Sequence, residues 1–120
     1  MKYVALLTNT EEARVRWAAM SAEEAAAARA EEMPKWIALF EEIGPHTVDS
    51  KELDEPASAR TVRVRDGEVL VTDGPYAETK EQLGGLFVLD CEDLDQAIAL
   101  AAKIPVAERA SVELRPIVER

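Results

Sequence analysis

Apolar and polar positions change their period several times along the chain, and each change marks an element. Residues 2 to 8 form a short apolar run of the kind expected for a strand covered on both faces. A polar, loop-like connection carrying Arg14, Arg16 and Trp17 follows. Ser21 with Glu24 three residues later makes a capping box, and the alanine-rich stretch behind it predicts a long helix. Met33, Ile37 and Phe40, and again Trp36, Phe40 and Ile43, recur at i, i+4, i+7, which predicts one buried helical face. Gly44-Pro45 stops that helix. Pro34 lacks the N–H that an interior helical position donates, so the segment is expected to be kinked there or split in two, with the kink preferred.

Residues 46 to 53 carry a fainter strand pattern. In "RTVRVRDGEVLVT" two β-rich runs flank Asp66-Gly67, the chemistry of a type I′ hairpin. Counting outward from that turn, Arg65 faces Glu68, Val64 faces Val69, Arg63 faces Leu70 and Val62 faces Val71, so the valine pairs share one face, expected to be core. Leu86 to Leu89 predicts a further strand, entered through Gly84-Gly85, a pair suited to close backbone approach or a bulge. Asp93 caps a second helix bearing Leu94, Ala97, Ile98 and Ala101, with Pro105 as its end. "SVELRPIV" predicts a closing strand, with Pro116 pointing to a sheet edge or a late bulge. The order is β-α-β-β-α-β with an added β-hairpin, which predicts an α+β, ferredoxin-like fold with both helices on one face of an antiparallel sheet. The other face is then bare, and this predicts a homodimer, a dimeric α+β barrel in which two such faces meet.

Composition narrows the function classes. At 120 residues and 48% hydrophobic, without a low-complexity stretch, the chain is expected to be one domain over 1–120. Fourteen Lys and Arg against 24 Asp and Glu give a net charge of -10, which repels nucleic-acid phosphates and anionic membranes. The apolar run near the N-terminus is too short for a signal-peptide core or a membrane span. Cys91, the single cysteine, has no disulfide partner in the chain, which suits a reducing, cytoplasmic location; Asp90 and Glu92 beside it should raise its pKa and dull it as a nucleophile. One histidine and one cysteine give no metal-ligand spacing. No phosphate loop, nucleophile elbow or dinucleotide fingerprint occurs, so no cofactor is expected.

The run Asp73-Gly74-Pro75-Tyr76-Ala77-Glu78-Thr79-Lys80-Glu81-Gln82-Leu83-Gly84-Gly85, with "DCEDLDQAIALAAKIP" after it and "TVRVRDGEVLVTDGP" and "VELRPIVE" around it, resembles the signature of DGPF proteins within the YCII-related family. The likeness covers nearly the whole chain, with Tyr76 where the family name has Phe. It implies a dimeric α+β barrel of ferredoxin-like topology, in a bacterial family of largely unassigned activity whose members are often linked to extracytoplasmic-function sigma factors. For some members it also implies a His–Asp pair with the histidine on the first helix, yet residues 21–43 hold no histidine.

Two readings of residues 73 to 80 stand side by side. In one, Gly74-Pro75 turns the chain, Tyr76 plugs the core edge and the charged residues are solvated. In the other, the segment rims a pocket, with Asp73 and Lys80 as polar groups and Tyr76 as an aromatic wall. Trp17, beside its arginines, suits an interface or an anion-accepting rim, and Trp36 suits the core or a ligand wall. His46 follows a helix C-terminus, where capping competes with acid–base work. The ligand-binding candidates are thus Asp73, Tyr76, Lys80, Trp17 and Trp36, and Asp73, Lys80 and His46 are those with acid–base chemistry. The expected functions are a dimeric small-molecule-binding module, a cofactor-free acid–base enzyme on a small substrate, or a regulatory accessory of a sigma factor.

Overall fold

A computed structural model describes residues 1–74 and 81–120. Strands β1 (Lys2–Thr10), β2 (Thr47–Glu52), β5 (Glu81–Asp90) and β6 (Val112–Pro116) form one antiparallel sheet in the order β2-β5-β1-β6, the ferredoxin-like arrangement. Strands β3 (Arg60–Arg65) and β4 (Glu68–Asp73) form a separate two-stranded ribbon inserted between β2 and β5. Helices α1 (Glu11–Ala18), α2 (Ala22–Ile43) and α3 (Leu94–Ala101) complete the α+β fold.

Cross-strand pairs Tyr3↔Leu89 and Ala5↔Phe87 put these four side chains on one sheet face, and all are buried. Leu39 and Ile43 from α2, Ala97 and Leu100 from α3, and Ile104 and Val106 complete the core against that face. Full burial of each larger side chain stabilises the fold by about 1.5–3 kcal/mol. Both helices therefore lie on the same side of the sheet.

The α2 N-terminus is fixed as its sequence suggests. Ser21 Oγ accepts from Glu24 N–H and Glu24 Oε1 accepts from Ser21 N–H, each at 3.1 Å. The Ser21 backbone bond, with the Ser21 side chain second, holds the Glu24 carboxyl below its ordinary range. The helix runs unbroken through Pro34. Its buried stripe is rotated from the expected one: Leu39 and Ile43 are buried with Trp36 half-buried behind them, while Met33, Ile37 and Phe40 remain 47%, 52% and 52% exposed. Trp36, Leu39 and Ile43 follow i, i+3, i+7, an equally regular spacing that a uniformly apolar segment conceals. In α3 likewise Ala97, Leu100 and Ala101 are buried and Leu94 and Ile98 half-exposed.

Residues 11–18, expected as a loop, are helical. Thr10 Oγ1 accepts from Ala13 N–H at 3.1 Å, Glu11 and Glu12 occupy the first turn and Arg16 the last, all favourable to the helix dipole. The helix buries no residue, so it left no apolar periodicity to read.

Glycine decides the β2–β5 edge. The β1–β5 register shifts between Leu7↔Gly85 and Thr8↔Leu83, leaving Gly84 as the extra residue of a bulge. A Cβ on Gly85 would stand 2.9 Å from the Lys51 carbonyl oxygen, so only glycine lets β2 approach.

The ribbon has the expected register throughout, with Asp66 at φ 51 and Gly67 at φ 77 in its turn. Its valine face, however, is not core. Val62, Val64, Val69 and Val71 are 61%, 58%, 68% and 58% exposed, because the two strands pack on each other and on little else among the described residues.

Candidate functional site

The sheet face turned away from the helices carries the pairs Val4↔Val88 and Leu6↔Leu86, all half-buried. Side chains alternate along a strand, so a β1 run apolar at every position supplies the core with one set and this face with the other. Its borders are charged but balanced. Lys51 Nζ bonds Asp49 Oδ1 at 3.0 Å on the β2 side, Arg115 pairs with Glu113 on β6, and Lys2 lies opposite Asp90. The Lys51 bond is the main cause that lowers the Asp49 pKa. An apolar centre ringed by compensated charges is the anatomy of an interface.

The Thr10 end of β1 leads directly into α1, which carries Trp17. Thr10 pairs with Glu81, so β5 begins beside the start of α1. There Arg14 donates to the Asn9 carbonyl at 2.9 Å, and the Arg29 guanidinium lies 4.8 Å from the centre of the Trp17 ring. Trp17 is thus a half-buried helical residue under a cation. Arg29 lies twelve residues away in another helix, a partner no local pattern could supply.

Asp73 ends β4 at the ribbon's root. Its carboxylate meets Arg60 Nε at 3.2 Å and is 88% exposed, an ion pair of small stabilising value. Gly74 N–H donates to the Ala59 carbonyl at 2.8 Å, and Thr61 Oγ1 donates to the Gly74 carbonyl at 2.8 Å, so the root is closed. Tyr76 and Lys80 lie outside the described residues.

The remaining candidates sit elsewhere. His46 Nδ1–H donates to the Asp90 carbonyl at 3.1 Å, at the far end of β5. The ribbon that carries Asp73 leaves the sheet at the other end, since β2 runs from Thr47 opposite Leu89 to Glu52 opposite Gly85, and the next residue, Leu53, donates its N–H to the Gly84 carbonyl. Trp36 packs against the core with its ring 5.9 Å from that of Phe40. Cys91 is buried, and burial first, then the Asp90 charge, pushes its thiol pKa up. Among the described residues no group of three or more His, Cys, Asp or Glu is arranged to hold a metal ion, and no helix is long and apolar enough to cross a membrane.

The family model of the YCII-related domain matches residues 1–120. The chain belongs to the YCII-related family. This YCII-related chain is similar, at 45% identity over 62 residues, to the "Uncharacterized protein R00369" of Rhizobium meliloti (strain 1021). That match spans 50% of each protein, and the relative's printed name assigns it no activity.

Proposed function

We propose that the protein is a homodimeric small-molecule-binding module, in which a second copy covers the open sheet face and the ligand lodges at the sheet end where β5 begins beside α1. The observation that carries this reading is the electrostatic balance of the open face. The chain bears a net charge of -10, yet the charges around Val4, Leu6, Leu86 and Val88 are Lys2, Lys51 and Arg115 against Asp49, Asp90 and Glu113. Two acidic chains repel each other least where each presents a neutral apolar surface.

Binding is favoured over turnover by how the acid–base groups are engaged. The Asp73 carboxylate meets Arg60, and His46 donates to the Asp90 backbone carbonyl. The carboxylate and the imidazole are not paired with each other, so the two form no His–Asp couple. Trp17 and Arg29 supply an aromatic face and a cation at the proposed pocket end, suited to a small anionic or aromatic ligand.

The test is a thermal-shift panel of metabolites on the wild type and Asp73→Ala, run beside light scattering for mass. A dimer is expected, with a ligand that stabilises the wild type by about 2.7 kcal/mol at 100 times its Kd. A monomeric wild type, or a panel without a ligand-dependent shift in either protein, would overturn the reading.

A further inference from the structure

We infer that the β3–β4 ribbon is an intersubunit clasp whose Val62, Val64, Val69 and Val71 face packs on a second copy of this chain; this rests on the dimeric reading above. The ribbon is a regular ladder from Arg60↔Asp73 to Arg65↔Glu68, without a bulge along it. A two-stranded hairpin is marginal in water unless another surface covers it. The described residues of its own body do not supply that surface. The root is tied by Gly74 N–H to the Ala59 carbonyl, by Thr61 Oγ1 to the Gly74 carbonyl and by Arg60 to Asp73, and with these in place all four valines stay at least 58% exposed. Folding the ribbon back on its own sheet would require breaking that root, whereas another chain can meet it where it stands.

Size and charge both point to a second copy as the occupant. The radius of gyration is 16.6 Å, where a compact chain of this length has about 14 Å. The accessible surface is 8574 Å², where a compact monomer of 13.2 kDa exposes about 6,400 Å². The excess, about 2,200 Å², falls within the roughly 1,000–2,500 Å² that each partner of an obligate dimer buries. The ribbon is also electrically balanced, with Arg60, Arg63 and Arg65 against Asp66, Glu68 and Asp73, so it can approach a chain of net charge -10 without repulsion. A strongly basic partner would instead be met by an acidic surface.

The experiment is sedimentation equilibrium on the wild type, on Val64→Glu/Val69→Glu, and on Leu70→Glu, which places a charge on the opposite ribbon face. The wild type is expected to be dimeric, the valine-face variant to dissociate about 100-fold more readily because two unpaired carboxylates would be buried, and Leu70→Glu to stay within about threefold of the wild type. Amide exchange of residues 60–73 should quicken in the valine-face variant alone, while Trp36 fluorescence reports that the body remains folded. A dimeric wild type whose affinity is unchanged in Val64→Glu/Val69→Glu would overturn the clasp and leave the dimer standing. Equal losses in that variant and Leu70→Glu would overturn it too, since they would report ribbon unfolding and not a covered face. A monomeric wild type would remove the dimeric reading itself and the clasp with it.

Discussion

The β1–β5 pair and the β3–β4 ribbon are built from the same strand chemistry and have opposite fates. Both are antiparallel and pair apolar side chains across the ladder. Leu89 and Ala5 in the first are fully buried, whereas Val64 and Val69 in the second are 58% and 68% exposed. The first pair has helices α2 and α3 laid over it; among the described residues the ribbon has no such layer. Strand pattern therefore sets which residues face each other, and a second layer sets whether that face is dry.

The sharpest way to break this contrast is truncation on each side of it. Leu89→Ala should lower unfolding free energy by about 2–5 kcal/mol in denaturant titration, since a filled core position becomes a cavity. Val71→Ala, measured at a dilution where the chain is monomeric, should change it by no more than about 0.5 kcal/mol. Comparable losses at the two sites would mean that the ribbon is buried within the single chain.

A smaller effect probes how the body holds its edge. Gly85→Ala would push a methyl into the Lys51 carbonyl and should cost about 1–3 kcal/mol, with faster amide exchange across β2. Gly84→Ala meets only the Leu7 oxygen at 3.8 Å and is expected to be milder. Ser21→Ala removes one half of the α2 capping box and should cost about 1 kcal/mol, read as a drop in Tm.

The smallest effects are those of pH, and they concern the body alone. Glu24 and Asp49 have folded pKa values below their ordinary 4.5 and 3.8, so the stability they lend is present above those values and fades as pH falls through the lowered ones. Lys51→Ala should flatten that acidic limb of Tm against pH, and Ser21→Ala should flatten it less, because the Ser21 backbone N–H still bonds Glu24. Cys91 has the opposite sign. Its folded pKa lies above the ordinary 9.0, so the unfolded thiol ionises first and stability declines as pH rises past that value; Cys91→Ala should remove this decline.

Legibility in the sequence followed the range of the forces involved. The Asp66-Gly67 turn, the Ser21 and Asp93 caps and the Gly84-Gly85 irregularity were all readable because each depends on neighbours a few residues apart. Helix α1 was missed although Thr10, Glu11 and Glu12 announce its start, because a helix that buries nothing has no apolar period. In the candidate site, Trp17 and Asp73 were recognisable as residue types, while their partners Arg29 and Arg60 were not, since both pairings depend on how separate elements meet.

By itself the sequence determined the element order, the hairpin register and hence the ferredoxin-like plan, because hydrogen-bonded turns and side-chain periodicity act locally. Only the tertiary structure decided which stripe of α2 faces the sheet, that Gly85 yields its Cβ space to Lys51, and that the valines of the ribbon stand outside the core. Burial depends on what another layer brings into contact, and a one-dimensional pattern of apolar positions carries the demand for such a layer without saying where it comes from.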